Sequence, residues 1–97
     1  MSTTFIATLT IKPGKEAQFE RLQEELSHLT HENEPGTLVY DVLKSRTKER
    51  TYVVYGRFRD EAAFQTHQAS PFHDRLVPPI MECVEGGMDL HLLDWKS

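Results

Sequence analysis

The chain has 97 residues, enough for one domain and too few for two. Its 15 acidic residues outnumber 11 basic ones, for a net charge of -4, and the basic residues are scattered. That argues against nucleic acid and an anionic membrane surface as natural partners, because both demand a clustered positive face.

Cys83 is the only cysteine, so no internal disulfide can form. The first residues hold no basic stretch, and no apolar run is long enough for a signal core or a membrane span. A cytoplasmic location is the expectation.

Residues 4–11 alternate: Phe5, Ala7, Leu9 and Ile11 fall on one side, Ile6 and three threonines on the other. This period of two, with β-branched side chains, predicts the first strand. Lys12-Pro13-Gly14 ends it, since proline lacks a ladder donor and glycine permits a turn. Phe19, Leu22, Leu26 and Leu29 then recur at helical spacing and predict a helix over 15–30. Glu34-Pro35-Gly36 stops that excursion.

A second strand is expected over 37–44 and a third over 51–58, joined by a polar hairpin loop at 45–49. Tyr52, Val53, Val54 and Tyr55 give the third strong β character. Asp60 is a good N-cap for a short helix over 61–68. Ser70-Pro71 restarts the chain as N-cap and first helical residue. This further helix should be disturbed at Pro78-Pro79 and broken at Gly86-Gly87, leaving a last strand over 88–93.

The order βαββαβ is the ferredoxin-like pattern, an α+β fold with a four-stranded antiparallel sheet and helices on one face. The other face is then bare and carries apolar side chains. Such surface is costly in water. Two copies packed sheet to sheet would cover it, so a homodimer is expected.

His67 is the most informative candidate for chemistry. It follows Phe64 by three positions and Ala63 by four, so it shares the apolar side of its helix, whereas Glu61, Gln65 and Gln68 point elsewhere. The commoner fate of such a residue is a core histidine satisfied by a hydrogen bond. The alternative is a neutral base near pH 7, because burial depresses an imidazole pKa. His28 and His31 lie away from the leucine stripe without a third ligand nearby, which reads as a solvated helix face and not a metal site. His73 follows Phe72, and His91 alternates with Leu90 and Leu92 on the last strand, opposite those leucines. Ser70 is better used as a cap than as a nucleophile. Cys83 lacks flanking cations to activate it.

Three stretches together resemble the antibiotic biosynthesis monooxygenase superfamily. They are Phe5-Ile6-Ala7 through Lys12-Pro13-Gly14-Lys15 to Phe19, then Glu34-Pro35-Gly36-Thr37-Leu38-Val39-Tyr40, then Arg59-Asp60-Glu61-Ala62-Ala63-Phe64 with His67 and Ser70-Pro71. Their order and spacing hold over nearly the whole chain. The resemblance implies a dimeric α/β barrel with a pocket between sheet and helices in each subunit. For some branches it also implies oxidation of a small aromatic quinol or phenol by dioxygen, with no flavin or metal. His67 stands at the family's usual histidine position and would be the base. Tyr40, Tyr55, Arg57, Phe64 and His73 would contact the substrate.

The sequence departs from the family in placing Phe72-His73 after Ser70-Pro71, where histidine then phenylalanine is common. Ala7, His67 and Val77 occupy the positions that carry asparagine, tryptophan and an axial histidine in the haem-degrading branch, which argues against haem. Two other functions fit the same features. A histidine base could isomerise or break down a small signalling metabolite. A non-catalytic stress-response barrel would use His67 only for packing, and would be favoured by a cavity too small for an aromatic ring.

Overall fold

The computed structural model describes residues 2–96. The element order is β1 (Thr3–Ile11), α1 (Glu16–Asn33), β2 (Thr37–Lys44), β3 (Thr51–Phe58), α2 (Glu61–Gln68), α3 (Pro71–Glu82) and β4 (Val84–Asp94). The strands form one sheet in the order β2-β3-β1-β4, and each neighbouring pair is antiparallel. The fold is therefore ferredoxin-like, with the second helical excursion split in two: βαββααβ. The split falls where Ser70 caps α3, its Oγ accepting from the His73 amide at 3.3 Å and donating to the His67 carbonyl at 3.0 Å. Asp60 caps α2 as its residue type predicts, accepting from the Ala63 amide at 2.8 Å.

The alternation read from β1 is the one observed. Phe5, Ala7, Leu9 and Ile11 are buried against the helices. Their cross-strand partners include Val54, Tyr52 and Gly56 on β3. The core comprises these residues with Phe19, Leu26, Phe58, Phe64, Leu76 and Ile80. Gly56 is required for close approach. A Cβ there would stand 2.3 Å from the ring of Phe5, the residue directly opposite on β1.

Three expectations are corrected. First, α3 continues through Pro78-Pro79 to Glu82. Each proline removes one backbone donor, and the carbonyls freed four residues earlier belong to the exposed residues Asp74 and Arg75, where water can serve them. Second, β4 begins at Val84, so Gly86-Gly87 lie inside the strand. They take φ of 78° and 93°, and the β1–β4 register slips between Leu9 and Ile11, so the pair forms an irregularity in the ladder and not a helix stop. Third, the inward face of α1 is centred elsewhere. Its fully buried residues are Phe19, Gln23, Leu26 and Thr30, while Leu22 and Leu29 are only partly buried.

The face of the sheet away from the helices carries Ile6, Val53 and Tyr55, half-buried, with Leu43 and Leu93 about half exposed. Met88, Leu90 and Leu92 lie on the helix side of β4, beyond the helices' cover, and are also exposed. No helix among the described residues is long and apolar enough to cross a membrane.

Candidate active site

The site starts from one glycine and a helix end. Glu34 caps the C-terminus of α1, its amide donating to the Thr30 carbonyl at 2.9 Å. Pro35-Gly36 then turns the chain into β2. At Gly36 the backbone passes so close to α2 that a Cβ would lie 2.7 Å from the Cβ of Ala63. One helical turn after Ala63 comes His67, so the same approach sets Glu34 beside the imidazole. His67 Nδ1 lies 3.1 Å from Glu34 Oε1. Both side chains are buried, His67 at 2% exposure and Glu34 at 6%.

Glu34 Oε1 also accepts from Thr37 Oγ1 at 3.3 Å. A carboxylate oxygen with two donors is the acceptor in both bonds, which assigns the imidazole proton to Nδ1 and leaves Nε2 as the basic nitrogen. Burial first, and the neighbouring His73 second, lower the His67 pKa to about 4. Burial raises the Glu34 pKa, and the Thr37 hydroxyl partly offsets that. Glu34 Oε2 is buried without a partner. The arrangement is a neutral imidazole braced by a carboxylate, the pairing that lets a histidine accept a proton and hold the resulting charge.

His67 forms part of the wall of a cavity of about 170 Å³ between the sheet and the helices. The floor is apolar: Phe5, Ala7, Leu9 and Val54 from the sheet, facing Leu26, Phe64 and Ile80 from the helices. An apolar cavity of about 150 Å³ is large enough for benzene, so this one accepts a single aromatic ring. His73 meets the His67 ring edge-on at 4.8 Å, and burial lowers its pKa too. Tyr40 packs 5.0 Å from the same imidazole. Burial and the Glu34 charge raise its pKa, so its hydroxyl stays protonated and can donate. Phe64 completes an aromatic cluster with Phe5 and Phe58.

Tyr40, Phe64, His67 and His73 are thus brought together, as their candidacy requires. Tyr55 and Arg57 are not. They pair across the ladder with Ile6 and Thr4, whose side chains point away from the helices. Period two decides this, because Val54 and Gly56 face the cavity and their neighbours must face the other way. Arg57 instead stacks on Trp95, its guanidinium carbon 3.6 Å from the ring centre. His91, as expected, lies on the opposite face from Leu90 and Leu92 and pairs with Asp89 at 3.3 Å. His28 is exposed and pairs with Glu32 at 3.3 Å. Among the described residues no three His, Cys, Asp or Glu side chains are grouped to hold a metal ion.

Two residues of the site escape sequence reasoning. Glu34 reads as a helix stop beside Pro35-Gly36, and its separation of 33 positions from His67 carries no periodic signal. Gln23 sits on the buried face of α1 and lines the cavity, with its Oε1 buried and unpartnered. The leucines that flank it at helical spacing drew the stripe one position aside. A larger groove of about 480 Å³ lies between α1 and β2; its walls include Glu20, Glu24, Tyr40, Asp41, Lys44 and Tyr52, and it holds no histidine.

Comparison with known proteins agrees with the fold. The sequence profile described as "Antibiotic biosynthesis monooxygenase" matches residues 3–78. A Caulobacter crescentus protein described as a candidate antibiotic biosynthesis monooxygenase is 27% identical, with a TM-score of 0.95 over 99% of this chain and 91% of its own. A Pseudomonas aeruginosa protein, PA3566, is 26% identical, with a TM-score of 0.85 over 99% and 95%. A variant of SnoaB, a cofactor-independent oxygenase from Streptomyces nogalater, shares the fold at 20% identity, with a TM-score of 0.86 over 99% and 94%. No curated protein sequence matches the chain. With more than half of its length matched by the profile, the chain belongs to the antibiotic biosynthesis monooxygenase family.

Proposed function

We propose that this protein is a cofactor-independent monooxygenase that oxidises a single-ring phenol or quinol with dioxygen. One observation carries the reading: a buried neutral histidine, braced by a buried carboxylate, in the wall of an apolar cavity the size of one aromatic ring. Family membership supports the reaction class, and SnoaB, of the same fold, is a cofactor-independent oxygenase.

The chemistry follows from the residues. His67 Nε2 takes the phenolic proton, and the imidazolium is held by Glu34. His67 alone is a weak base at a pKa of about 4. Gaining a proton next to Glu34 creates an ion pair in a dry site, which offsets part of that deficit. The phenolate gives one electron to dioxygen. The ring radical and superoxide combine in a carbon–oxygen bond, and the imidazolium returns its proton to the peroxide. Loss of water leaves a ring carbonyl. For hydroquinone the balance is one quinol and one dioxygen to one hydroxyquinone and one water. Tyr40 and His73 are the polar groups placed to hold the ring oxygen, and Phe64 packs on the ring. The apolar walls exclude the water that would quench the intermediates.

The protein acts as a homodimer on this reading, its bare sheet face covered by a second copy, in the cytoplasm. Oxygen uptake with a panel of hydroquinones, with the wild type against His67→Ala, tests the activity. The expected result is uptake above buffer that falls by about 100-fold in the variant, the usual scale for loss of a general base. No uptake, or a variant as active as the wild type, would contradict it.

A further inference from the structure

Gln23 is a polar residue where an apolar one would fit. It occupies the centre of the buried face of α1, with Phe19 and Leu26 on either side at helical spacing. It is 5% exposed, and its Oε1 is buried without a hydrogen-bond partner. Leucine has nearly the same volume and would leave nothing unsatisfied. The amide nonetheless lines the cavity that His67 serves, and it comes from a different helix. Gln23 on α1 and His67 on α2 thus face one cavity from two helices, so a ring held there lies within the same walls as both.

We infer that Gln23 is the specificity-determining residue of the cavity, binding a second oxygen substituent on the ring, other than the one that His67 deprotonates. The inference rests on the proposed single-ring phenolic substrate and names its subclass: a ring with a second oxygen substituent. An amide suits the task because it both accepts and donates. It accepts from the hydroxyl of a quinol, and after rotation it donates to the carbonyl of the oxidised ring. A substrate lacking the second oxygen leaves the amide buried and unpaired, and the site discriminates against it.

The test is calorimetric titration in the absence of oxygen, with hydroquinone and 4-methylphenol as probes. The two have nearly the same size and differ in one polar group. Wild type should bind hydroquinone about tenfold more tightly. Gln23→Leu should reverse the order, because an apolar wall favours the methyl group. Gln23→Met serves the same purpose if the leucine variant does not fold. A structural role alone would change melting temperature without reversing the preference. Wild type binding both probes equally, or either variant retaining a preference for hydroquinone, overturns the inference. Oxygen uptake in air separates it from the proposed reaction. A reversed preference without any uptake supports the role of Gln23 while overturning oxidation. Uptake with an unchanged preference in the variant overturns the role of Gln23.

Discussion

At the scale of single residues, the site is a contest between burial and charge. His67 and Glu34 both leave water, and each is pushed toward its neutral form. The consequence is a pH dependence of stability. The folded pKa of His67 lies at about 4, below its ordinary 6.5, and that of His73 is lowered as well. Below pH 6.5 the unfolded chain therefore binds protons that the folded chain refuses. The stability these histidines allow is full above pH 6.5 and is lost as pH falls toward 4. Glu34 acts in the opposite sense, since its raised pKa favours the folded state as pH falls through it. With two histidines against one carboxylate, melting temperature should decline from pH 6.5 to 4. His67→Gln should flatten the decline, by at most about 1.4 kcal/mol per pH unit for the one proton removed. An equally steep profile in the variant would show that His67 is not the group refusing its proton. Of the site itself, His67 was legible because its position relative to Ala63 and Phe64 fixes its face. Glu34 and Gln23 were not. One is a long-range partner, and the other is a polar residue whose burial depends on how α1 rolls on the sheet.

At the scale of elements, pattern and punctuation carried most of the fold. The bounds of β2, β3 and α2 follow from alternation, apolar spacing and the Asp60 cap, and the structure has them where those signals put them. The end of α3 and the start of β4 depart from expectation because Gly86-Gly87 reads as the helix break and Pro78-Pro79 as a disturbance within the helix. Pro78 and Pro79 free carbonyls of exposed residues, and Gly86-Gly87 sit at an irregular edge of the ladder, so neither pair ends its element. Gly56 is the converse, a glycine inside a strand whose role is contact. Its missing side chain lets the Phe5 ring lie across β3 and meet Tyr40, Phe58 and Phe64. Gly56→Ala should displace that ring and destabilise the protein by about 2 kcal/mol, in the range of overpacked cores. Denaturant unfolding measures it, and a neutral substitution would mean that Phe5 has another place to go.

At the scale of the whole molecule, the sheet divides two duties. Its inner face builds the cavity, and its outer face carries Ile6, Val53 and Tyr55, which the proposed homodimer would cover. Tyr55, which lies on that outer face and not in the cavity, is a probe of assembly. Light scattering at micromolar concentration should give a dimer for the wild type and a monomer for Tyr55→Glu, because a buried unpaired carboxylate at the centre of an interface is strongly unfavourable. A monomeric wild type would leave the apolar outer face without an explanation. The central claim remains the transfer of a ring proton to the His67–Glu34 pair inside the cavity. The most direct measurement is the absorption spectrum of bound 4-nitrophenol, taken at a pH where the free compound is mostly protonated. The account predicts the phenolate spectrum in the wild type and the neutral phenol spectrum in His67→Gln. A ligand that binds the wild type but stays protonated would contradict it.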